Sequence, residues 1–115
     1  MNALQNLERV GPSLDLVDQL STRLESLVPR SGVNKLTRAS MLAAMNGAYG
    51  QDAKDVATQL NAQINDSVFE LQQVYGNGYS PTDQALKLAS ENLRSDWNDR
   101  TLHAGTNLAR KNVQI

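Results

Sequence analysis

His103 is the single histidine of the chain, and there is no cysteine. Any catalytic or metal chemistry must therefore gather around one imidazole and a set of carboxylates. A zinc site wants three or four nitrogen, sulfur or carboxylate ligands, and one histidine on a polar segment does not begin one. As a general base, His103 needs a positioned partner. Asp99, four residues earlier and on the same face of a helix, is the candidate nearest in sequence. A surface histidine beside an acid is the commoner meaning of that spacing. Carboxylates also pair at Asp15/Asp18, Asp52/Asp55 and Asp96/Asp99, each three residues apart. Such pairs can coordinate a divalent cation or divide acid and base roles. The first two, however, fall in the opening turns of expected helices, where the helix dipole alone favours acids. The third flanks Trp97 without the ordered ligand spacing of a calcium loop. Gly76-Asn77-Gly78 has no strand before it and lacks the Lys-Ser/Thr of a phosphate loop. No serine stands in the Gly-x-Ser-x-Gly setting of a hydrolase. The expectation is a chain without catalysis, cofactor or metal.

Helices must position whatever these residues do. Leu4, Leu7 and Val10 repeat at spacing three over 2–10, and Gly11-Pro12 should stop that segment. Ser13 then reads as the N-cap of a helix over 14–28, with Val17, Leu20, Leu24 and Leu27 repeating at 3, 4, 3. Pro29 closes it. Asn34 caps a further helix to about Met45, and Asn46-Gly47 with Tyr49-Gly50 marks a turn. No charged residue occurs from Ala39 to Gln51. The next helix runs from about Asp52 to Val74 with one apolar stripe, Val56, Leu60, Ile64, Val68 and Leu71. Gly76–Gly78 ends it, and Ser80-Pro81-Thr82-Asp83 forms a strong helix start. Leu86, Ala89, Leu93 and Trp97 continue an apolar seam. The last segment, 101–115, carries Leu102, Leu108 and Val113, with Gly105 as a candidate kink. No run alternates at period two with the β-branched and aromatic residues of a strand. The fold class is all-α: four to five amphipathic helices in a helical hairpin or small bundle.

The 115 residues suit one domain, 1–115, with a sub-boundary near 76–80 between hairpin arms. A net charge of −1 gives no global attraction to nucleic acid or an anionic membrane. No apolar run approaches the roughly 18–20 residues of a membrane span. The opening MNALQNLERVG places acids and amides where a cleaved signal would be apolar. Ala39–Val56 has a helix-turn-helix outline, but its second helix opens with Asp52 and Asp55 against Lys54 alone, which repels phosphates. Nucleic acid is therefore disfavoured as a partner. Protein partners, including copies of the chain itself, fit the amphipathic faces better. An inhibitor or immunity-type protein that caps another protein is a further alternative.

From Ser80 onward the chain resembles the C-terminal half of needle and inner-rod subunits of bacterial type III secretion systems. The matching residues are Pro81-Thr82-Asp83, Ala85-Leu86, Ser95-Asp96-Trp97-Asn98 and Leu108-Ala109-Arg110-Lys111-Asn112-Val113. The likeness covers about a third of the chain and includes a one-residue slip between Asn98 and Leu108. Asp99-Arg100 stands where that family has apolar or aromatic residues. The resemblance implies a structural subunit that polymerises through its terminal helix, without catalysis. The expected assembly seam is Leu86, Ala89, Leu93, Trp97, Leu108 and Val113. The acidic stretch Asp52–Glu70 and the basic stretch Arg100–Lys111 would pair head to tail between copies. Phage virion subunits are the other class of assembly with this composition.

Overall fold

The computed structural model describes residues 3–29, 36–75, 91, 93 and 96–113, of which 11–29, 36–72, 91, 93 and 96–111 include the side chains. Four helices stand among them: α1 Ala3–Glu25, α2 Arg38–Met45, α3 Gln51–Tyr75 and α4 Asp99–Val113. Glu91 and Leu93 also have helical backbone. The described residues contain no strand, and the all-α class expected from periodicity holds. The expected helix starts at Asn34 and at Ser80–Asp83, the break at Gly76–Gly78 and the sub-boundary there lie outside the described residues.

The α3 stripe is buried as its spacing requires: Val56, Leu60, Ile64, Val68 and Leu71 are all core residues, joined by Ala53 and Ala57. At a rise of about 1.5 Å per residue, its 25 residues reach roughly 37 Å. Helix α1 packs along it and also against α4, while α2 packs on α3. Leu14, Val17 and Leu24 of α1 are fully buried, and Leu20 and Leu27 pack against the same core. Each fully buried Leu or Val contributes about 1.5–3 kcal/mol relative to exposure. The buried hydroxyls inside this packing find partners. The buried Ser13 hydroxyl lies 2.7 Å from that of Ser67 and accepts from Gln63 Nε2 at 2.7 Å.

Two helix boundaries differ from the sequence expectation. Gly11-Pro12 does not divide the first segment: α1 passes through it, with Pro12 inside the helix. Ser13 is accordingly a buried interior residue and not a cap. Proline removes one backbone donor and crowds the carbonyl four residues earlier. Pro12 is exposed, so its ring faces water, where a freed carbonyl can be hydrated. The cap of α2 is Thr37, whose Oγ1 accepts from the Ser40 amide at 3.1 Å. Gly47 and Gly50 in the following turn have φ of +87° and +95°, the region that favours glycine.

A short backbone clip joins the entries of α2 and α4. Thr37 and Asn98 form an antiparallel bridge. In it the Arg38 amide donates to Trp97 O at 2.9 Å and the Asp99 amide to Leu36 O at 2.7 Å. Asn98 also caps α4 reciprocally. Its Oδ1 accepts from the Thr101 amide at 3.0 Å, and its own amide donates to Thr101 Oγ1 at 2.9 Å. Gly105 is buried inside α4 and interrupts nothing.

The continuity of α1 makes Pro12→Ala a stabilising substitution. It restores one helical hydrogen bond and should raise unfolding free energy by about 1 kcal/mol or more. Urea denaturation followed by circular dichroism measures this. A helix that started at Ser13 would show no gain.

Candidate functional site

The principal cluster of charged side chains lies between α1 and α4. Helix α1 turns its apolar face to α3, which leaves Asp15, Asp18 and Glu25 on another side. Opposite them α4 presents His103, Thr106 and Arg110, spaced three and four apart and so aligned on one face. Asp18 is the hub. Its Oδ1 lies 2.8 Å from His103 Nδ1 and accepts from the Thr106 hydroxyl at 2.8 Å, and its Oδ2 accepts from Arg110 Nη2. An ionised carboxylate accepts only, which places a proton on His103 Nδ1. The other ring nitrogen, Nε2, stands 3.7 Å from Glu25 Oε1. Arg110 is held further by Asp15, whose Oδ1 lies 3.1 Å from its Nε and 2.9 Å from its Nη2. Nη1 donates to Asn107 Oδ1 at 2.8 Å.

Electrostatics favour this arrangement. Burial opposes the Arg110 charge, but the hydrogen bond and charge of Asp18, followed by Asp15, outweigh it, and the guanidinium is held above its ordinary pKa. A raised folded-state pKa contributes stability that is present below the unfolded value and lost only as pH rises through the folded one. The arginine side of the pairing therefore persists through the ordinary pH range.

As a catalytic device the cluster is poorly disposed. The carboxylate that orients His103 also binds Thr106 and Arg110, and the second ring nitrogen faces Glu25 instead of open space. Thr106 is fully buried, with its hydroxyl directed to Asp18 and to His103 O at 2.9 Å. Among the described residues no group of three or more His, Asp or Glu could hold a metal ion. The cluster fastens one helix to another.

The acid pairs sort accordingly. Asp15 and Asp18 lie in mid-helix and answer Arg110, so the helix-dipole explanation fails for them once α1 is seen to begin at Ala3. Asp52 keeps its first-turn position in α3, and Asp55 accepts from Gln51 Nε2 at 2.8 Å. Asp96 is exposed, 3.7 Å from Arg38. Asp99 opens α4.

No family model, curated protein or solved structure matches the chain. Its function must be read from its own surface.

Of the expected seam, Leu93 and Trp97 are buried, and Leu108 packs half-buried against the same core. Leu93 and Trp97 are brought together along one wall of a cavity that also meets α2 and α3. Leu86 and Ala89 lie outside the described residues, as does the side chain of Val113 at the end of α4. The large apolar side chains exposed among the described residues are others: Leu16, Leu42, Tyr49 and Phe69. Spacing alone did not single them out. The signal available for Leu42 and Tyr49 was the absence of charge from Ala39 to Gln51.

The polar cluster yields a direct test. Asp18→Asn and Arg110→Gln should each destabilise by about 2 kcal/mol, because each leaves a partly buried partner unanswered. In a double-mutant cycle the two should couple by about 1–2 kcal/mol, measured by urea denaturation at pH 7 and again at pH 10. Independent, additive losses would contradict the described clamp.

Proposed function

We propose that the chain is a non-enzymatic helical subunit that docks onto protein, its own copies first, through the corner where α2 turns into α3. The single observation that carries this is an exposed surface without charge. From Ala39 to Gln51 no side chain is ionisable except the phenol of Tyr49, yet Ala39, Leu42 and the whole of 46–51 are exposed. Leu42 and Tyr49 are each 37% exposed there. Interface centres are depleted in charge and enriched in aromatic residues and Met relative to the rest of a protein surface. Met45, half-buried at the end of α2, adds to that composition. Phe69, the chain's one phenylalanine, is 60% exposed farther along α3, a separate apolar side chain about 27 Å from the corner.

In its finer form the reading is an assembly subunit of the secretion-apparatus kind, motivated by the resemblance of residues 80–113. The closing of Leu93 and Trp97 inside the chain moves the proposed contact away from that seam and onto the α2–α3 corner. Charge argues against the helix-turn-helix alternative even though α2, its turn and α3 have that outline. The corner carries no cation, Arg38 stands beside Asp96, and the next helix opens with Asp52 and Asp55.

The double substitution Leu42→Glu, Tyr49→Lys tests the reading, because both side chains are exposed and the fold should survive. Sedimentation velocity over a concentration series should show wild-type association that the variant loses, with unchanged helical circular dichroism. A wild-type chain that stays monomeric at millimolar concentration, and whose Tyr49-linked photocrosslinker captures no partner in its native cell, would sink the proposal. A salt-dependent shift of duplex DNA would favour the helix-turn-helix reading instead.

A further inference from the structure

Asn46 caps the C-terminus of α2 and is followed by glycine. Among the asparagines with described side chains it alone has that neighbour, for Asn61, Asn65, Asn98 and Asn107 precede Ala62, Asp66, Asp99 and Leu108. Glycine has no side chain to hinder its amide nitrogen from approaching the carboxamide before it, so Asn-Gly is the pair most open to intramolecular attack. The local backbone is a glycine-terminated helix end. The Gly47 amide donates to Ala44 O at 2.9 Å and the Ala48 amide to Ala43 O at 3.1 Å, with Gly47 at φ +87°. The Asn46 carboxamide donates to Leu42 O at 3.1 Å. Both groups that would react are tethered, but at the end of a helix, where hydrogen bonds open most readily. The whole of 46–50 is exposed, and nothing lies within 4 Å of the place a Cβ on Gly47 would take. Water and hydroxide reach the joint.

We infer that Asn46-Gly47 is a self-modification site that turns the uncharged corner into a charged one. When the hydrogen bond from Gly47 to Ala44 opens, hydroxide takes the Gly47 amide proton and the nitrogen attacks Asn46 Cγ. The new N–Cγ bond closes a succinimide and the Cγ–Nδ2 bond breaks. Nδ2 takes a proton from water and leaves as ammonia, which regenerates the hydroxide. Water then opens the imide. Attack at Cγ leaves aspartate, and attack at the Asn46 main-chain carbonyl leaves isoaspartate, whose chain runs through Cγ. The net change is one water gained and one ammonia lost, with no oxidant or cofactor. Either product places a carboxylate in a stretch where no Asp, Glu, Lys, Arg or His stands between Arg38 and Asp52. It loses the donor to Leu42 O and sets a negative charge at the C-terminal end of α2, where the helix dipole disfavours it. Isoaspartate also lengthens the main chain by one carbon, which shifts Gly47 and Ala48 away from the carbonyls they bond. The corner then loses the lack of charge that suits it to a partner. That consequence rests on the docking reading, whereas the conversion does not.

The full chain, held at pH 8 and sampled over weeks, tests the site by digestion and mass spectrometry of each asparagine peptide. Asn46 should convert in the folded chain ahead of Asn61, Asn65, Asn98 and Asn107, and faster in urea, where the tethering hydrogen bonds are gone. Asn77 also precedes glycine and lies outside the described residues, so its peptide is read separately. An Asn46 that stays intact in the folded chain while the urea-unfolded chain converts would overturn the site, as would equal rates at all five asparagines. Sedimentation velocity of Asn46→Asp tests the consequence. Association should weaken by about tenfold or more, because an interface that covers the new carboxylate must desolvate it. Aged wild-type chain, separated by charge, should show the same loss, which keeps the test open where the variant alters the fold. Equal association of Asn46→Asp and the unmodified chain would overturn the regulation. A wild-type chain that never associates would overturn the docking reading and its regulation together, while the peptide result for Asn46 stands by itself.

Discussion

The structure depends on α1 having two usable sides. One side, Leu14, Val17 and Leu24, is buried against α3, and the other carries Asp15, Asp18 and Glu25 to α4. Five aromatic residues in 115 leave little bulk to fill a core, and the lone phenylalanine points outward. The space is closed instead by small side chains that bring helices near one another: Ala53, Ala57, Ser67, Ser13 and Ser21 within the packed interior, and Gly105 and Ala109 on α4. Close approach has a chemical consequence. Hydroxyls carried into the interface must find partners there, as Ser13 does with Ser67 and Gln63, and Ser21 with the Asp18 carbonyl at 2.9 Å.

Charge plays a different part from the one its distribution along the chain suggests. An acidic middle and a basic end invite head-to-tail pairing between copies. Arg110, however, is withdrawn from the basic end by Asp15 and Asp18 of the same chain, which leaves Arg100 and Lys111 exposed. Charge holds α4 to α1 inside the molecule, and the stretch from Ala39 to Gln51 is the exposed one without it.

Local periodicity was the most legible part of the sequence. The α3 stripe and the α1 repeat at Val17, Leu20, Leu24 and Leu27 both follow from 3.6-residue geometry, and both pack inward. The turn at Asn46–Gly50 was legible because glycine fits its positive φ. Pro12 misled because proline usually ends a helix, whereas α1 runs on through it with the Pro12 ring exposed. Asp15 and Asp18 misled for a related reason, since a dipole argument is only as good as the assumed helix start. The clamp itself joins residues 85 and more apart. It was visible only as two stripes, Asp15/Asp18/Glu25 and His103/Thr106/Arg110, whose juxtaposition requires the fold. The cavity walled by Leu93 and Trp97 has no one-dimensional signature, because α2, α3 and the segment entering α4 converge on it.

Leu93 and Trp97 close within a single chain, so that burial of Trp97 owes nothing to a partner. Acrylamide quenching of Trp97 emission across a dilution series tests this most directly. The account predicts blue-shifted emission and weak quenching that stay constant from high concentration down to the nanomolar range. Red-shifted, readily quenched emission in dilute samples that turns blue as concentration rises would contradict it.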